Sequence, residues 1–153
     1  MATPEERIVE LGLTLPEVVP PVAAYRPSVR SGDHVYVSGQ LPFVEGELPA
    51  TGKVGAEVDA DRARELAAVC ALNAIAAVKA EVGDLSKVVR IVKVGGFVAS
   101  TPDFTGQPGV INGASELLGE VFGEAGVHAR AAVGVVALPL DAPVEVDMVV
   151  EVR

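Results

Sequence analysis

Residues 129–153 read ARAAVGVVALPLDAPVEVDMVVEVR, and this stretch decides the fold class. From Val144 to Arg153 the alternation is plain. Val144, Val146, Met148, Val150 and Val152 fall on one face, while Glu145, Asp147, Val149, Glu151 and Arg153 fall on the other. A period of two predicts a strand with one face on a core. The preceding run, Ala129 to Leu138, predicts a second strand whose residues stay small or apolar on both faces. Leu138-Pro139-Leu140-Asp141-Ala142-Pro143 makes the connection, and its tightness predicts that the two strands are antiparallel neighbours.

Working outward, the sheet needs helices to cover its apolar face. Asp59 to Val82 is Ala-rich, begins with acidic residues and stops at Gly83, which predicts a helix. Leu66, Val69, Cys70, Asn73, Ala77 and Ala80 recur at spacings of three and four and form the expected contact stripe. Asn112 to Gly126 predicts a second helix with Leu117, Leu118, Val121 and Phe122 inward. Lys87 to Ala99 reads as a strand in which the Gly95-Gly96 pair marks a bulge or a close backbone approach. His34 to Gly39 (HVYVSG) is a further strand, and Gln40 to Lys53, with Pro and Gly at short intervals, is loop or hairpin. Thr3 to Gly12 predicts a short helix with Thr3 as its cap, Pro4 in the first turn, and Glu5 and Glu6 at the positive end of the dipole. Leu13 to Pro27 is apolar and Pro-rich without a period, so an extended path over the surface is expected. The class is α+β, in one domain and without internal repeats.

Half of the 153 residues are hydrophobic, but aromatics make up only 4% and Trp is absent, so Val, Ala, Leu and Ile must build the core. The net charge of −9 argues against a nucleic-acid partner, which would demand clustered Lys and Arg. Cys70 is the single cysteine; with no partner for a disulfide and no metal-ligand companions, it points to a reducing, cytoplasmic setting. The segment MATPEERIVELG has neither a cationic leader nor an apolar centre, so no signal peptide is expected. Every long apolar stretch is broken by charge or Gly before membrane-spanning length, so no membrane association is expected either. No zinc spacing and no phosphate-binding Gly loop occurs, so neither a metal nor a cofactor is expected.

Arg130 opens a strand otherwise made of Ala, Gly and Val, on the same face as Ala132 and Gly134. A planar guanidinium beside small residues suits bidentate capture of a carboxylate; an interface or surface ion pair is the other reading. Glu145 begins the next strand on its polar face, either as a salt-bridge partner or as a group that orients or deprotonates a water. His128 precedes Arg130 and faces either the same cleft or the helix–strand corner. Ser38 has no Gly-x-Ser-x-Gly elbow around it and no His–Asp partnership, so it is not read as a nucleophile.

Taken in order, Tyr25, then Ser38-Gly39-Gln40 after a strand, Asn112, Ala129-Arg130, Leu138-Pro139 and Val144-Glu145-Val146 resemble the Rid/YjgF family, the reactive-intermediate (enamine/imine) deaminases once called L-PSP endoribonucleases. The resemblance covers roughly residues 23–153. It implies a chorismate-mutase-like fold, a mixed sheet backed by two helices, in a homotrimer with active sites in the clefts between subunits. Carried over, Arg130 would bind the substrate carboxylate and Glu145 would position the attacking water. Tyr25, Ser38, Gly39, Asn112, Ala132 and His128 would line the same cleft. The implied reaction is cofactor-free hydrolysis of a small 2-enamine or 2-imine acid to the 2-keto acid and ammonia. A non-catalytic trimer that binds a keto acid is the alternative, and an endoribonuclease is the least favoured reading given the charge. The first 24 residues exceed the usual family start, which implies an N-terminal extension (1–24) packed on a single domain (25–153). That extension, the longer stretch after Gln40 and the runs 111–115 and 126–130 place the chain in a longer branch. Ala132 stands where well-known deaminases carry Cys.

Overall fold

The alternating strand at the C-terminus is the one the sheet is built around. The computed structural model describes residues 2–18 and 24–153. Its strands are β1 (Ser28–Ser31), β2 (His34–Gln40), β3 (Val88–Ala99), β4 (Ala129–Val135) and β5 (Val144–Val152), in the order β1-β2-β5-β3-β4. The helices are α1 (Pro4–Glu10), α2 (Ala60–Val82) and α3 (Gln107–Phe122). β5 runs antiparallel to both β2 and β3, whereas β3 and β4 are parallel. Parallel strands cannot be joined by a hairpin, and α3 supplies the crossover between β3 and β4. α2 makes the corresponding connection from β2 to β3. Val144, Val146, Met148, Val150 and Val152 are 0–2% exposed beneath the helices, and each such side chain contributes about 2 kcal/mol by leaving water.

The Asp59 carboxylate accepts the Arg62 N–H at 2.8 Å, and Gly83 ends α2 at φ +85°. The buried arc of α2 is wider than the expected stripe: Ala63, Ala67, Ala71, Ala74 and Val78 are buried as well, while Ala80 is exposed. The cause is that α3 also packs on α2, so closely that a Cβ on Gly113 would overlap the Arg64 carbonyl. α3 begins at Gln107 rather than Asn112, because Pro108 belongs to its first turn, and its tail (Gly123–Gly126) tightens into a 3₁₀ turn. The short edge strand β1 has no apolar alternation to announce it. The Gly95-Gly96 pair carries no bulge; the register irregularities lie at Val88/Arg90 and Ile91/Lys93. The pair serves close approach instead, since a Cβ on Gly96 would sit 2.5 Å from the Ile111 side chain.

The expected β4–β5 hairpin is absent, because β3 lies between the two strands. Pro139–Asp141 forms a 3₁₀ turn with Leu140 and Asp141 at positive φ, fastened by a Lys53–Asp141 ion pair of 2.5 Å. The Ala99 N–H then donates to the Pro143 carbonyl at 2.9 Å, so the connection crosses the end of β3.

At the N-terminus, α1 has the capping box of Thr3 and Glu6. Ile8 is 3% exposed, and Glu5 accepts from Lys79 Nζ at 3.0 Å and the Leu85 N–H at 2.7 Å. The expected extended path of residues 13–27 falls in part on 19–23, outside the described residues. No helix among the described residues is long and apolar enough to cross a membrane.

Candidate functional site

Strand register decides which candidate residues meet. Arg130 pairs across the sheet with Val94, and Val94 with Met148, so Arg130 lies on the helix-covered face. Glu145 pairs with Phe97, and Phe97 with Val133, which puts Glu145 on the open face. Within one chain, the two leading candidates therefore stand on opposite sides of the sheet. The expectation of adjacent strands fails here, because a connection that crosses β3 shifts Glu145 two strands away from Arg130.

On the helix-covered side, Arg130 gathers a polar cluster from α3 and the turn before β4. Its Nη1 donates to Asn112 Oδ1 at 2.8 Å and to Ser115 Oγ at 3.2 Å. Ser115 Oγ lies 2.9 Å from His128 Nε2, and His128 Nδ1 lies 2.6 Å from the Gly126 carbonyl. Asn112 and His128 thus sit beside Arg130, while Ala132 follows it on the same face, half-buried opposite Gly96. Both ring nitrogens of His128 are engaged inside the chain. Ser115 was not among the residues singled out in the sequence, although its i, i+3 spacing from Asn112 places both on one helix face. Arg130 forms no ion pair among the described residues. A half-buried guanidinium without a carboxylate partner is a ready receptor for one.

Around Glu145, a cavity of about 1030 Å³ has Tyr25, Gly39, Leu41, Phe43, Ala77 and Glu145 among its walls. A Cβ on Gly39 would collide with the Glu145 carboxylate, so glycine at the β2 bulge is what lets the acid occupy this position. Burial, and then the neighbouring Asp147 carboxylate, push the Glu145 carboxyl above its ordinary value. Ser38 adjoins Gly39, but its hydroxyl donates to the Arg26 carbonyl at 2.5 Å. Leu41 and Phe43 are pinned by Asn73, whose amide donates to both their carbonyls at 3.0 and 3.1 Å. Cys70 is fully buried with its thiol against the Val144 carbonyl, and burial raises its pKa well above the usual value, so it is inert. Among the described residues, no group of three or more His, Cys, Asp or Glu is arranged to hold a metal ion.

The candidates thus fall into two clusters, one around Arg130 and one around Glu145. A family model described as "YjgF/chorismate mutase-like, putative endoribonuclease" matches residues 5–152. Protein TCP17 of Trypanosoma cruzi is 46% identical over 144 residues, 94% of this chain and 90% of that protein. The crystal structure of Atu1372 from Agrobacterium tumefaciens, a protein of unknown function, is 51% identical with a TM-score of 0.93, over 99% of this chain and 94% of the other. More distant is TdcF of E. coli, solved with bound serine: 25% identical, TM-score 0.60, over 88% of this chain and 91% of that one.

Proposed function

Because the chain belongs to the YjgF/chorismate mutase-like family, we propose that it hydrolyses small reactive 2-enamine or 2-imine carboxylic acids to 2-keto acids and ammonia, in clefts between the subunits of a homotrimer. The observation that carries this reading is the half-buried Arg130 guanidinium, which has no acidic partner among the described residues and whose Nε–Nη2 edge makes no hydrogen bond there. Such an edge matches the two oxygens of a carboxylate.

In the reaction, Arg130 holds the substrate carboxylate and so fixes the position of the imine carbon. Glu145, from the adjoining copy, accepts a proton from a water as that water's oxygen bonds to the imine carbon. That proton is returned to nitrogen to give the carbinolamine, and transfer of the carbinolamine hydroxyl proton to the same nitrogen, again through Glu145, accompanies C–N cleavage, which releases ammonia and leaves the keto group. The imine carbon is electrophilic already, so the scheme needs no cofactor. A carboxyl whose proton affinity is raised by burial suits a group that must both take and give a proton. Tyr25, Ser38 and Gly39 belong to the Glu145 half of the cleft, and Asn112, Ala132 and His128 to the Arg130 half. The segment 1–24 is then an extension whose helix α1 packs on the domain through Ile8 and Glu5, and the lone buried Cys70 suits work in the cytoplasm.

A second reading is a non-catalytic trimer that binds a small carboxylate, favoured by the serine bound to the related TdcF. The net charge of −9 weighs against RNA as substrate. The deciding measurement is ammonia and keto-acid release from freshly generated 2-aminoacrylate and longer imino acids. Arg130→Ala is expected to abolish the acceleration and Glu145→Ala to reduce it about 100-fold, the usual worth of a positioned acid–base group. No acceleration by wild type, with keto-acid binding that still depends on Arg130, would leave the binding protein as the better account.

A further inference from the structure

We infer that Ser115 and His128 are positioning residues, a relay that turns the Arg130 guanidinium so that one bidentate edge faces the ligand. The inference rests on the reading of Arg130 as the carboxylate receptor, and in it Ser115 and His128 act through the Arg130 guanidinium.

The chain of hydrogen bonds admits one arrangement of protons when the imidazole is neutral. The Gly126 carbonyl can only accept, so His128 Nδ1 carries the proton across their 2.6 Å contact. Nε2 is then an acceptor, and over the 2.9 Å contact the Ser115 hydroxyl must be the donor. With its proton engaged, the Ser115 oxygen presents lone pairs to Arg130 Nη1 at 3.2 Å. Asn112 Oδ1 takes the other Nη1 proton at 2.8 Å. Both protons of Nη1 are therefore directed at α3, and the Nε–H and one Nη2–H remain as a parallel pair on the outer edge. A helical serine left to itself tends to return its proton to a carbonyl one turn back. His128 competes for that proton and keeps the serine oxygen turned toward Arg130.

The two halves of the relay come from different elements: Ser115 from the third turn of α3, His128 from the turn that enters β4. Arg130 is thereby tied to both the helix and the strand whose separation defines this half of the cleft.

The test measures binding of pyruvate and of its neutral amide, pyruvamide, to the full-length protein by titration calorimetry, with the fold and assembly of each variant verified. Ser115→Ala and His128→Ala should each weaken pyruvate about tenfold, the worth of a hydrogen bond to a charged group, and leave pyruvamide within about twofold. The double variant should be no worse than Ser115→Ala alone, because both act through one bond. His128→Gln, whose Oε1 can accept the serine proton, should recover most of the loss. In turnover, KM should rise with kcat little changed, since ground state and transition state lose the same contact. Unchanged pyruvate affinity in both alanine variants, with binding abolished by Arg130→Ala, would overturn the relay and spare the receptor. Equal losses for pyruvate and pyruvamide would also overturn it, because they would mark a general structural defect. Pyruvate bound undiminished by Arg130→Ala would remove the receptor reading itself.

Discussion

Glu145 and Asp147 project from the same face of β5, and neither makes an ion pair among the described residues. Burial raises the proton affinity of both, and the Asp147 charge raises that of Glu145 further. If Glu145 acts as the base, only its ionised form works, so the rate should climb with pH through a pKa above the ordinary glutamate range. Asp147→Asn removes the like charge and lowers the Glu145 pKa, so the acid limb of the pH–rate profile should move to lower pH. A limb that stays in place or moves upward would show that Glu145 does not set it. At this scale the sequence was informative wherever a residue's neighbours along the chain define its setting. Arg130 beside Ala132 and Gly134 is such a case. Ser115 was not legible, because its role comes from His128 and Arg130, delivered by a turn and a strand rather than by its own helix. His128 had two open readings in the sequence, and only the Ser115 and Gly126 contacts show where its ring nitrogens point.

The elements with strong periodicity or clear caps were readable: α2 between Asp59 and Gly83, β5 by its alternation, α1 by its capping box. The pairing of elements was not, since a six-residue connection with two prolines is compatible with a hairpin and equally with a crossing over one strand. That single ambiguity separates Arg130 from Glu145. The α2–α3 contact was also invisible, although Gly113 records it. In an exposed helix interior, Gly→Ala normally stabilises by about 1 kcal/mol. Here the added methyl would overlap the Arg64 carbonyl, a backbone atom that cannot rotate away. Gly113→Ala should therefore destabilise by about 1–3 kcal/mol, read as a lower urea midpoint at fixed protein concentration. A midpoint that holds or rises would mean that the two helices separate easily. Because Asn112 and Ser115 flank this glycine, such a shift would also displace the groups that hold Arg130.

The molecule as a whole presents two separate clusters of candidate residues and one uncovered sheet face. Val29 and Tyr36 are about half exposed on that face at 51% and 50%, and Val133 is 45% exposed on the opposite edge strand, β4. Exposed apolar surface of this kind is where a contact with another chain would form. If copies assemble through it, Arg130 of one copy can meet Glu145 of the next, and neither half works alone. Complementation tests this directly. Arg130→Ala and Glu145→Ala homo-oligomers should each be impaired. Co-expression in equal amounts gives mixed assemblies in which a cleft is intact only when its Arg130 comes from the Glu145→Ala chain and its Glu145 from the Arg130→Ala chain. With random mixing around a closed ring, that holds for roughly a quarter of the clefts. Activity should therefore return to about a quarter of wild type per cleft, beyond the sum of the two variants, while a mixture of separately purified proteins that do not exchange subunits should show no gain. If co-expression restores nothing even though mixed assemblies are verified by mass, Arg130 and Glu145 do not share an intersubunit site. The opposite placement of the two residues on the sheet would then have to be read as two separate functions.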